Sequence, residues 1–174
     1  MANELYTRTN QKLYFAGLAL DAWRAAEAAQ ALNVQTQVQA ARETALFHLY
    51  GAVLGLCHEI AGFYRLPQAG LPQVEALLSG EVLAAAPGPE LAELVELAQQ
   101  RDSWLAQLLA AYRRLFEPPR QEKPAKADPA LIVAVNVGAA AADAPAEPEL
   151  DCLADWQQQV RQLAVRFREG MSEW

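Results

Sequence analysis

Apolar residues recur at intervals of three and four along most of this chain, the spacing of one face of an α-helix. The clearest run is the last. Leu153, Trp156, Val160, Leu163, Phe167, Met171 and Trp174 form one stripe, with Asp155, Gln158, Gln159, Arg161, Gln162, Arg166 and Glu169 on the other face. This predicts an amphipathic helix over about residues 149–173 that closes onto other helices. A second segment is apolar nearly all round. Leu46, Leu49, Val53, Leu56, Ile60 and Phe63 make one stripe, and Phe47, Tyr50, Leu54, Cys57, Ala61 and Tyr64 run beside it. A helix with two such stripes touches several neighbours, so it is expected at the centre of the fold.

Pro and Gly placement sets the remaining boundaries. The first stretch lacks proline and is rich in Ala, Leu, Gln and Glu, all good helix formers. It predicts helix one over 4–31, then Asn33 as N-cap of a second helix running to Leu66, before Pro67. A turn at 67–72 leads to a short helix over 72–79, ended by Gly80. Pro87-Gly88-Pro89 breaks the chain again. A third long helical region over 89–117 is expected to kink near Arg101-Asp102-Ser103, where Asp102 or Ser103 can recap it. Residues 118–148 carry six prolines and many alanines and read as a linker within a single domain, 1–174. Its one apolar run, Leu131–Val137, is β-branched and fits either an extended segment laid over the surface or a short docking motif. The fold class expected is all-α: an antiparallel four-helix bundle with one or two short extra helices and a Pro/Ala-rich linker before the last helix.

Composition narrows the function classes. With 53 % hydrophobic and 20 % charged residues, the chain is too apolar for a disordered protein. The 21 acidic against 14 basic residues give a net charge of −7, which argues against nucleic acid as a partner. Cys57 and Cys152 form no CxxC, and the opening residues show no signal-peptide pattern, so a cytoplasmic protein with two reduced thiols is expected. Residues 45–64 have the length of a membrane span, but His48, His58 and Glu59 lie inside it and Arg42 and Arg65 flank it on both sides. Ionisable groups are costly in hydrocarbon, so a buried central helix is the better reading and no membrane is expected.

The central helix has a third stripe unlike the other two: His48, Gly51, Gly55, His58 and Gly62, with Glu59 alongside. Each mid-helix glycine costs about 1 kcal/mol relative to alanine, and close approach of a neighbouring backbone is the usual compensation. Helix one is the natural neighbour. A turn at 32–33 would set Gly17 against His48, Tyr14 against Gly51, Asn10 against Gly55, and Tyr6 or Thr7 near His58 and Glu59. Such a seam could be a small polar pocket, with His48, His58 and Glu59 as weak catalytic candidates and Tyr6, Asn10 and Tyr14 as ligand-binding candidates. The favoured reading is a structural strut, with Glu59 and the histidines satisfied by Tyr6, Asn10, Arg8 or Arg24 and merely fixing helix register. No Glu-x-x-His pair, zinc-type spacing, phosphate loop or nucleophile elbow occurs, so neither metal nor cofactor is expected. Arg42 and His48 share an Arg-x5-His spacing that resembles the pair used by helical-bundle ribonucleases of toxin systems, a remote alternative.

The opening Asn3–Leu13, the block Ala45–Gly51 through Cys57–Ala61, the start Ser103-Trp104-Leu105 and the ending Arg166–Gly170 together resemble a family of small uncharacterised bacterial proteins, found mainly in pseudomonads and carrying a domain-of-unknown-function label. The resemblance implies one intact domain and brings no activity with it. The chain therefore reads as a non-enzymatic helical protein acting through contacts with a protein partner. The alternative is a small-molecule or enzymatic pocket along the seam.

Overall fold

The computed structural model describes residues 2–118 and 146–172, and every regular element among them is helical. In chain order these are α1 (Ala2–Ala29), α2 (Val34–Phe63), α3 (Val74–Leu77), α4 (Gly80–Ala85), α5 (Pro89–Gln99), α6 (Trp104–Arg114) and α7 (Leu150–Ser172). The all-α class read from periodicity is the class observed. The run Leu131–Val137, most of the proposed linker and Trp174 lie outside the described residues.

α1 and α2 make an antiparallel hairpin whose contact is set by small residues. A Cβ built on Gly51 would meet Lys12, one on Gly55 would meet Thr9, and one on Gly62 would meet Leu5. α7 lies along this hairpin and packs against both helices. It runs antiparallel to α1, with the Gln157 amide donating to the Leu13 carbonyl at 2.8 Å and Arg168 reaching back to Asn10. α2 is the hub, packed by α1, α7, α3, α5 and α6. Leu46, Leu49, Val53, Leu56 and Ile60 are all buried, as its principal stripe requires; Phe63, at the end of that stripe, stays 43 % exposed. By length and composition α2 could cross a membrane, and in this fold most of that apolar surface is covered by the other helices. The described stripe of α7, from Leu153 to Met171, is buried throughout.

Several boundaries differ from expectation for local reasons. α2 stops at Phe63 because Arg65 takes a left-handed conformation (φ 53°), and the Leu66 N–H turns back to the Ala61 carbonyl at 2.8 Å. This is the six-to-one closure that ends many helices, and it drops Leu66 into the core. Asn33 stands at the N-cap of α2 without capping it. Its side-chain oxygen accepts from the Gln37 amide instead. Gly80 does not end the short helix after Pro72. It opens α4, because Ser79 caps that helix by accepting from the Val82 N–H. The expected long third helix is two helices, α5 and α6, broken at the expected kink. There Ser103 caps α6, accepting from the Ala106 N–H at 3.0 Å while donating to the Leu97 carbonyl.

A buried ion pair in place of a polar pocket

Glu59 is the one carboxylate deep in α2, 2 % exposed. Arg168 of α7 meets it with a two-pronged contact: Nε donates to Oε2 and Nη2 to Oε1, both at 2.8 Å. The third guanidinium nitrogen donates to Asn10 Oδ1 at 3.0 Å, and the guanidinium lies over the Tyr6 ring at 4.7 Å. Arg168 thus draws together Glu59, Asn10 and Tyr6, three of the residues singled out in the sequence. The carboxylate holds the guanidinium above its ordinary proton affinity by hydrogen bond and charge. With both carboxylate oxygens engaged by one cation, this is the geometry of a structural strut. Sequence reasoning misses Arg168 as the partner because it stands after Phe167 on the shoulder of the buried stripe, where helical spacing assigns a solvated charge. A carboxylate in an apolar helix calls for a cation, but α1 is the neighbour that the sequence suggests, and the cation comes from α7.

The two histidines point elsewhere. Neighbours on a helix diverge by about 100°, and His58 accordingly faces away from Glu59. Its Nε2 lies 2.8 Å from the Leu71 carbonyl, where it donates and pins the loop before α3. His48 sits between the rings of Phe15 (5.2 Å) and Phe47 (5.3 Å), and its Nδ1 is a buried atom without a hydrogen-bond partner. Burial, and then the Lys12 charge, lowers its proton affinity. The register expected for the seam is off by one or two residues. Phe15, not Gly17, meets His48; Lys12, not Tyr14, meets Gly51; Thr9, not Asn10, meets Gly55. Tyr14 is 63 % exposed and outside the seam. The helix pair therefore brings His48, His58 and Glu59 into no common cavity.

Arg42 is engaged some distance from His48. Its guanidinium lies over the Trp23 ring at 4.7 Å, donates to Gln39 at 2.6 Å and to the Pro148 carbonyl at 3.2 Å, and pairs with Glu147. Six residues along a helix is more than one and a half turns, so the two side chains leave α2 on different faces.

On the far side of α2, Tyr50 forms a second polar node. Its hydroxyl donates to Glu75 Oε2 at 2.9 Å and accepts from the Val74 N–H at 3.0 Å, which caps α3 from a distant helix. Burial pushes the Tyr50 phenol up to about 12. Cys57, fully inside, is also pushed up to about 12 by burial, which leaves it a thiol and not a nucleophile. Tyr64 donates to Glu90 at 2.7 Å, and burial again pushes its phenol to about 12. Gly88 is required beside it, since a Cβ there would stand 2.9 Å from the Tyr64 ring. Among the described residues no cluster of His, Cys, Asp and Glu has the makings of a metal site.

Among the described residues, the side of the α1–α2 hairpin away from α7 is uncovered. A groove of about 380 Å³ runs there between Ala19, Ala22 and Ala26 of α1 and Ala40, Ala41 and Thr44 of α2. It leads to the rings of Phe15, His48 and Phe47, with the Lys12 ammonium 5.2 Å from the Phe47 centroid. Phe47 is 49 % exposed.

No curated protein and no solved structure matches the chain. One family model does, over residues 1–174, and it describes a family of unknown function, DUF6586.

Proposed function

Because the chain belongs to DUF6586, a family that carries no activity to transfer, we propose from its own geometry that it works by holding another protein on the open face of the α1–α2 hairpin. The observation that carries this reading is the contrast between the two sides of that hairpin. One side is filled by α7, an amphipathic helix, while the other, among the described residues, presents an alanine-lined groove with the exposed Phe47 ring about one turn beyond Thr44. Two antiparallel helices offer equivalent grooves on their two sides, so the free one suits a second amphipathic helix supplied by a partner. Lys12 at the aromatic end favours a carboxylate on that helix. The groups that first suggested chemistry support this reading by their engagement: Glu59 is held by Arg168, and His58 holds a loop carbonyl. We place the protein in the cytoplasm, in keeping with two free cysteines, one of them in the core.

Site-specific photo-crosslinking in cells tests this. A photoreactive side chain at Ala40 or Phe47 is expected to capture a partner through a helical segment of that partner. The same group at Gln162, on the solvent face of α7, is expected to capture none. Ala22→Glu, an exposed change, should abolish the first product and leave the fold intact by circular dichroism. Equal capture from both faces, or capture unaffected by Ala22→Glu, would overturn the assignment.

A further inference from the structure

A separate cleft lies where α6 crosses α2 and α3, about 530 Å³ in volume, its lining including Tyr50, Glu75, Tyr112, Arg113 and Phe116. That volume falls in the range of small-molecule sites. Its walls are aromatic. Tyr50 and Tyr112 stack with centroids 3.8 Å apart and planes 10° from parallel, and Phe116 stands edge-on to Tyr112 at 5.2 Å. Phe116 is 70 % exposed, which is unusual for a ring with an aromatic neighbour at hand. Glu75 supplies the charge. Its Oε2 is fixed by the Tyr50 hydroxyl, and among the described residues it forms no ion pair. The carboxylate is therefore positioned by a buried phenol and not consumed in an ion pair, although Arg113 shares the lining of the cleft.

We propose that this cleft binds a quaternary-ammonium group, seated against the Tyr112 and Phe116 rings and facing the Glu75 carboxylate. Ring faces carry the negative part of the aromatic quadrupole, and a methylated ammonium sheds its water more easily than a primary amine or a metal ion. The field is of the right sign: the Glu75 charge strengthens proton binding at Tyr50, Tyr112 and Cys57 alike. Arg113 also lines the cleft and acts against the cation. It sets a limit on affinity that substitution can lift.

The test is a titration of the full chain with tetramethylammonium and with choline at constant ionic strength, monitored by amide and aromatic NMR shifts. Saturable shifts are expected at Tyr50, Glu75, Tyr112 and Phe116. Phe116→Ala and Glu75→Gln, both at exposed positions, should each weaken binding about two- to fivefold, and Arg113→Gln should tighten it by a similar factor. Matching circular dichroism melts keep loss of fold out of the comparison. Three results would each overturn the proposal: no saturable shifts up to tens of millimolar, equal binding of the neutral isostere 3,3-dimethylbutan-1-ol, or unchanged affinity in both weakening variants.

Discussion

Replacing Arg168 by methionine should destabilise this protein more than almost any other single change at a partly exposed position. The substitution keeps an unbranched, flexible stem, though a shorter one, and removes the charge. Glu59 would then be left at 2 % exposure with no counter-ion, since both its oxygens are engaged by Arg168. Breaking a buried pair from one side costs about 3–5 kcal/mol. The contact over Tyr6 adds about 0.5–1 kcal/mol, while the 19 % exposure of the Arg168 side chain lets some water relieve the orphaned carboxylate. A net loss of about 3–4 kcal/mol is expected, enough to lower the melting temperature by about 10 °C in a chain of this size. Urea unfolding with a common m-value gives the number. The decisive variant is the double replacement Glu59→Leu with Arg168→Met. Removing both charges together should recover most of the loss, because desolvating an ion pair costs nearly what its attraction returns. A single-variant loss below about 1 kcal/mol, or a double variant whose cost is the sum of the two singles, would show that the pair is no strut.

The glycines of α2 should separate into two classes. A Cβ on Gly55 would stand 2.6 Å from Thr9 Oγ1 and 3.2 Å from Thr9 Cα, so Gly55→Ala must push helix backbones apart and should cost about 1–3 kcal/mol despite better helix propensity. Gly62 is exposed and meets a single movable Leu5 methyl, so Gly62→Ala should be neutral or stabilising; equal losses at both would contradict the close approach at Gly55. Alkaline stability should track the buried acids. Cys57 moves from 9.0 to about 12, and Tyr50 and Tyr64 from 10.0 to about 12, so the folded state holds protons that the unfolded chain releases. Their contribution is fully present below about pH 9 and is lost as the pH rises toward 12. Urea midpoints from pH 8 to 11 should fall accordingly, and tyrosinate absorbance should show part of the five tyrosines ionising late; a single transition near pH 10 in the folded protein would refute this.

The helices are legible in the sequence because each long one repeats its apolar spacing over several turns. α7 shows this best: its whole described stripe is buried as the spacing requires. The break at Arg101–Ser103 is legible too, since Ser103 is a good cap in the middle of a helical pattern. Gly80 misleads because a glycine after a short apolar run signals a helix end, and only the fold reveals Ser79 as the cap of α4. The seam is legible in kind and not in register. Glycines announce a close approach without saying which neighbour arrives, so Thr9 and Lys12 stand where Asn10 and Tyr14 are expected. Glu59 is recognisable as a group needing a partner, but the partner lies 109 residues away on α7, beyond anything periodicity can join.

α7 is fastened by charge near its end and through the segment that leads into its start. Just before it begins, Arg42 of α2 grips Glu147 and the Pro148 carbonyl, and near its end Arg168 grips Glu59. Apolar stripes alone tolerate sliding, because one helical turn of about 5.4 Å returns a similar row of side chains to the same groove. One charged fastening on the helix and one on the segment leading into it oppose that freedom. A shift of one turn would have to break the Arg168–Glu59 pair and the Gln157 hydrogen bond and strain the Arg42 contacts, so polar chemistry fixes the axial setting that a repeating apolar stripe leaves loose.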